Sequence, residues 1–197
     1  SKDHAEVLKK MRQAHLNHLK TIIDVGFLPE GEIHERSKGT TPYEMARSDK
    51  YPFQRIMLAA DMASGLSPWA TKPLIGYLKD KDSAVRYWGA MGLLMRGKLG
   101  VKVAGKQLDI ALKDESAYVR VIAAEALGKY GSKEQIDRAV ETLGKIADPV
   151  KNGCFPSMLA MNAIDHLDKK AKSLFTKIQS MPRIPNEVDK RFQGYVG

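Results

Sequence analysis

Two arginines and two carboxylates recur in step along the middle of the chain. Asp80 precedes Val85-Arg86, and 34 positions later Asp114 precedes Val119-Arg120. A guanidinium is a planar fork of donors that matches a carboxylate or phosphate bidentately. Two chemistries follow. The arginines bind an anion on a shared face, or each reaches back to the carboxylate of the turn before it and fixes that turn. The second is favoured, because the carboxylate repeats with the arginine. A second cluster, Glu30, Glu32, His34, Glu35 and Arg36, sits in a stretch rich in Gly and Pro. A Glu–His couple there could act as acid and base, but a solvated or interface loop is the expected role. His15 and His18 stand three apart, close enough to share a metal. No carboxylate or third ligand lies in the same turn, so no metal is expected there.

The elements that must position these groups repeat. Residues 74–97 and 108–131 align at the same offset of 34, from Leu74 on Leu108 through Leu78 on Leu112, Lys79 on Lys113, Ala90 on Ala124 and Leu93 on Leu127 to Gly97 on Gly131. Self-similarity at such a period marks a repeat architecture, in which each unit buries its apolar face against its neighbours. In the second unit Val119, Ile122, Ala123, Ala126, Leu127 and Tyr130 form one helical stripe, with Ser116 as N-cap and Gly131 as a left-handed stop. The first unit repeats it as Val85, Trp88, Gly89, Gly92 and Leu93, capped by Asp82 or Ser83 and stopped by Gly97. Short helices carrying Leu74, Ile75 and Leu78, then Leu108, Ala111 and Leu112, precede them.

Outside this pair, residues 4–25 read as a helix with Val7, Leu8, Met11, Ala14, His15, Leu19, Ile22 and Ile23 on its apolar face. Residues 26–41 break the pattern and read as a loop or linker. Thr41-Pro42-Tyr43-Glu44 is a capping box with Pro at N1. Residues 53–63 resemble a degenerate second helix of a repeat. Ser132 and Gln135 form another capping box before the stripe Ile136, Ala139, Val140, Leu143 and Ile146. A second helix follows from about Pro156, displaced by a three-residue insertion. Val188, Phe192, Tyr195 and Val196 suit a terminal capping element. The expected organisation is an N-terminal helix and linker over residues 1–50, about four repeats over 51–181, and a cap over 182–197.

The chain carries a net charge of +9 with 32 Lys and Arg against 23 Asp and Glu, an excess compatible with an acidic partner or nucleic acid. No Lys/Arg run reaches five residues, so plain solubility is the simpler reading. A single cysteine, Cys154, excludes an internal disulfide and a cysteine metal cluster. No segment is apolar and long enough to span a membrane. The sequence opens on Ser1 and enters a helical pattern at once, so it is expected to be part of a longer chain.

The units resemble short HEAT-like repeats, a type also found in phycobilin lyases. Tetratricopeptide repeats share the period, but their Trp-Leu-Gly-Tyr pattern and closing Pro are absent. The expected fold is all-α, an α-solenoid of HEAT/armadillo-like repeats. The order of non-repeat motifs is similar to the C-terminal HEAT-like extension of a group of bacterial sulfatases, of the heparan N-sulfatase or arylsulfatase-like kind. Those motifs are Asp24–Glu32 (DVGFLPEGE), Thr40–Ala46 (TTPYEMA), Lys50–Ile56 (KYPFQRI), Ala59–Ser64 (AADMAS), Asp82–Ala90 (DSAVRYWGA) and Asn162–Leu167 (NAIDHL). The resemblance implies a formylglycine nucleophile and a calcium ion in a separate upstream α/β domain, with no cofactor in this stretch. Cys154-Phe155-Pro156-Ser157 imitates the formylglycine motif, but Met158 replaces its Arg, and Cys154 reads as a packing residue.

The expectation is therefore a non-catalytic accessory domain, with the sulfatase catalytic domain of the same chain as partner and a periplasmic or extracellular location. Phe27, Leu28, Glu30, Glu32, Ile33, His34, Arg36 and Tyr43 are the expected interface, exposing an apolar patch near Phe27, Leu28, Ile33 and Tyr43. Asp80, Arg86, Asp114 and Arg120 are expected to be a structural ladder. The alternatives are a nucleic-acid-binding protein using Trp69, Trp88 and Tyr118, as in glycosylases built of such repeats, and a general protein-binding scaffold.

Overall fold

The amphipathic spacing at the N-terminus does fold as a helix, α1 (Ala5–Ile22), ended by Ile23 in the left-handed region at φ 53°. The protein is described by a computed structural model over residues 2–181. The cap expected over residues 182–197, with Val188, Phe192, Tyr195 and Val196, lies outside the described residues. Every regular element among the described residues is helical. The chain divides into two compact units, Ser1–Met57 and Leu58–Gly197.

In the first unit, α1 is followed by a 3-10 turn, Val25–Phe27, which Asp24 caps by accepting the Gly26 N–H at 2.8 Å. The stretch expected to be a loop then folds into α2 (Glu30–Arg36). Pro29 starts it, Glu30 and Glu32 occupy the positive end of the helix dipole, and His34 and Arg36 the negative end. Sequence periodicity missed this helix because two turns are too short to show a stripe. The capping box forms as expected at Thr41 and starts α3 (Pro42–Ala46). Leu28, Met45, Ala46 and Tyr51 are buried. The Tyr51 hydroxyl donates to the Asp24 carbonyl, and the Phe27 and Phe53 rings meet at 6.1 Å.

Next in order is α4 (Phe53–Ser64). The second unit continues through α5 (Thr71–Tyr77), α6 (Ser83–Met95), α7 (Gly97–Ala111), α8 (Ala117–Tyr130), α9 (Lys133–Ile146), α10 (Pro149–Asn152), α11 (Cys154–Leu167) and α12 (Phe175–Gln179). Consecutive helices from α5 to α11 pack pairwise, and α8 packs against α6, α7, α9 and α11. That position explains a departure from the expected single stripe. Val121 and Ala124, off the stripe, are as fully buried as Val119 and Leu127, while Tyr130 is 39 % exposed. A helix surrounded by four others is buried all round, so its sequence loses amphipathic contrast.

Two further details differ from the sequence reading. The helix before α8 is not short: α7 runs for 15 residues from Gly97. Gly97 has the left-handed conformation expected of it (φ 60°), whereas Gly131 lies at φ −78°, in extended backbone. A Cβ on Gly131 would stand 2.5 Å from the Leu127 carbonyl oxygen, so close approach, not handedness, requires a glycine there. The three-residue insertion is taken up by the short helix α10, with Pro149 at its first position.

Candidate functional site

Each of the two repeated turns is built by an aspartate. Asp80 Oδ1 accepts the Asp82 N–H at 2.8 Å, and Asp114 Oδ1 accepts the Ser116 N–H at 2.8 Å. The backbone then enters the next helix, α6 with Asp82 capping Ala84 and Val85, and α8 with Ser116 at the cap position but making no side-chain cap bond. The arginine one turn in reaches back to the same carbonyls in both copies. Arg86 Nη1 donates to the Asp80 and Lys81 carbonyls at 2.9 and 3.2 Å. Arg120 Nη1 donates to the Asp114 and Glu115 carbonyls.

The opposite edge of each guanidinium behaves differently. Arg86 Nε and Nη2 grip Asp114 of the following turn, at 2.7 and 2.8 Å, and both side chains are nearly buried, 12 % and 10 % exposed. The pair thus joins one turn to the next, where the sequence reading had the arginine and carboxylate of a single turn meet. The reason is geometric: Nη1 is already held by its own turn, which points the remaining edge outward to the neighbour. The Asp114 hydrogen bond raises the Arg86 pKa above its ordinary value, with burial opposing. Among the described residues Arg120 has no such partner. The residue at the matching offset, Asp148, instead caps α10 and pairs with Lys151 at 3.2 Å.

Two open clefts flank this row. One, of about 760 Å³, is lined in part by Arg86, Asp114, Asp109 and Arg138. The other, of about 450 Å³, is lined in part by Arg120, Lys113, Arg138, Glu141 and Lys145. Arg138 and Asp109 form a bidentate pair between them. Such an arrangement can bind and orient oxyanions.

Cations also close helix ends, which the sequence reading did not foresee. Arg96 donates to the Met62, Ala63, Ser67 and Gly92 carbonyls at 2.8–3.2 Å. Burial lowers its pKa. Lys170 caps the end of α8 at Gly128 and Lys129, and Lys177 that of α9 at Gly144. Part of the basic excess therefore answers orphan carbonyls. Nothing in the local sequence signals it, since the capped helix lies roughly one repeat or more away.

The expected interface residues lie in the first unit. Leu28 and Glu32 are buried, and Phe27 and Ile33 are half-buried. Arg36 pairs with Glu32 at 2.9 Å and donates to the Lys50 carbonyl at 2.7 Å. Exposed Glu30 and His34 stand 4.0 Å apart. Tyr43 is 66 % exposed beneath the Arg47 guanidinium, 3.6 Å from its ring centre. The apolar patch expected here is thus largely turned inward, leaving Tyr43. Within the first unit, exposed apolar side chains are instead on α1, where Val7, Leu8 and Met11 are 58, 50 and 65 % exposed and only Leu19 is buried.

Cys154 is buried at the first position of α11, with Met158 where a formylglycine site needs Arg, so these residues do not fit that cofactor. Among the described residues no three His, Cys, Asp or Glu side chains gather as a metal site, and no helix is long and apolar enough to cross a membrane. Of the aromatics invoked for base stacking, Tyr118 is buried, Trp88 is half-buried edge-on to Tyr87, and Trp69 is 89 % exposed. No protein-family model matches the chain, and no curated protein matches it.

Proposed function

We propose that this chain is a non-catalytic interaction domain, a HEAT-like α-solenoid attached to a sulfatase catalytic domain in the same polypeptide. The observation that carries the repeat reading is the doubled turn: the same aspartate–amide bond and the same arginine–carbonyl bonds, 34 positions apart. Helix pairs tied turn to turn form a scaffold whose surfaces serve binding.

The sulfatase attachment is supported by the order of the motifs from Asp24 to Leu167 and by the uncovered apolar face of α1, which has the character of a surface that packs on another body. Sulfate-ester or N-sulfate hydrolysis, with its calcium and formylglycine, would belong to that other domain, and export to the periplasm or beyond would follow from it. An antibody to this chain, applied to native cell extract, tests the attachment. A product well above 21.9 kDa, with sulfate-releasing activity in the immunoprecipitate, is expected. A product near 21.9 kDa would sink the sulfatase reading and leave the interaction domain standing alone.

A further inference from the structure

We propose that the free edge of Arg120 is a carboxylate-binding site, supplied with its ligand from outside the fold. The template lies in the same molecule. Arg86 and Arg120 are anchored identically through Nη1, and on Arg86 the remaining Nε–Nη2 edge takes a carboxylate bidentately. Among the described residues that edge of Arg120 donates to no acceptor, and neither nitrogen is among the buried unpartnered atoms. At the matching offset Asp148 keeps the same turn bond, here to the Val150 amide, but its other oxygen pairs with Lys151.

The surroundings favour an anion. Arg120 lines the cleft of about 450 Å³ together with Lys113, Arg138 and Lys145. The two carboxylates there are already used, Asp109 by Arg138 and Glu141 by Lys145 at 2.6 Å. Among the described residues Lys113 and Arg120 have no carboxylate partner. A planar carboxylate would accept from Nε and Nη2 as Asp114 does on Arg86, with Lys113 adding charge attraction. The ligand is either a free small carboxylate or the acidic side chain of a peptide. The site does not depend on attachment to a catalytic domain, so its failure would leave that reading untouched.

The test follows the arginine Nε–H signals of the ¹⁵N-labelled chain while acetate, a capped tri-glutamate peptide or inorganic phosphate is added. The Arg120 signal should move saturably with acetate or the peptide, while Arg86, already paired, stays still. Tighter binding of the peptide than of acetate assigns the ligand to a chain; equal binding per carboxylate assigns a free small carboxylate. Arg120→Lys, which loses the bidentate edge, should weaken binding by about tenfold. Lys113→Glu, a change at an exposed residue, should weaken it similarly by repulsion. Saturation by phosphate alone, a non-saturating drift shared by all exposed arginines, or unchanged binding in both variants would each overturn the proposal.

Discussion

Arg86 grips Asp114 with two nitrogens across 28 residues of sequence, so one guanidinium bonds the turn before α6 and the turn before α8 at once. Both side chains are largely shielded but edge an open cleft, so removing one partner leaves the other short of its bonds. Asp114→Ala should therefore cost about 1.5–3 kcal/mol in urea denaturation. A double-mutant cycle with Arg86→Met should show coupling of more than about 1 kcal/mol. Additive effects would mean that the pair does not join the two turns.

Arg96 should be a costly cation to remove from the second unit. Its two terminal nitrogens satisfy four carbonyls, among them the last turn of α4 and Ser67. Arg96→Met leaves these unanswered and should lose about 1.5–3 kcal/mol. Amide exchange should quicken at residues 62–67, while α11 is unchanged. Arg96→Lys, a single ammonium in place of a fork, should recover less than half.

Two glycines should respond in opposite directions to the same substitution. A Cβ on Gly128 would lie 2.4 Å from Leu167 Cδ2 and 2.9 Å from its Cγ, at the contact of α8 with α11. Leu167 is buried and has no space to yield, so Gly128→Ala should destabilise by about 1–3 kcal/mol. Gly76, inside α5, has nothing within 4 Å of a Cβ. Gly76→Ala should stabilise by about 0.5–1 kcal/mol through helix propensity. The thermal midpoints of the two variants check both.

The α3 capping box should loosen in acid. The Thr40 hydroxyl, then the Thr41 amide and hydroxyl, donate to Glu44 and hold its carboxyl below the ordinary glutamate range. A carboxyl depressed in the folded state contributes stability that is full above its unfolded pKa and is lost as pH falls through the depressed value. Carbon-detected titration of Glu44 should give a midpoint below the ordinary glutamate range. Thr40→Val should move the midpoint upward.

Much of the second unit was legible before folding. The stripe around Val119 and Leu127, the caps at Asp82 and Ser132 and the period of 34 are local or regularly spaced signals, and they place the helices from α5 to α9. The same signals failed where context outweighed them. The short helix α2 formed in a stretch rich in Gly and Pro because Glu32 and Arg36 pair across one turn. Val7, Leu8 and Met11 on the apolar face of α1 are exposed among the described residues, which no periodicity can reveal.

The candidate site divides in the same way. The sequence by itself determined which residues could meet anions, since Arg86 and Arg120 stand at one phase of a repeat with Asp80 and Asp114. Tertiary structure decided which carboxylate each arginine holds. Backbone carbonyls of the own turn claim Nη1, the other edge must look to the next turn, and there Asp148 pairs with Lys151. Type and spacing are properties of the chain. Whether two side chains 28 or 34 positions apart come within 3 Å depends on how the helices between them pack.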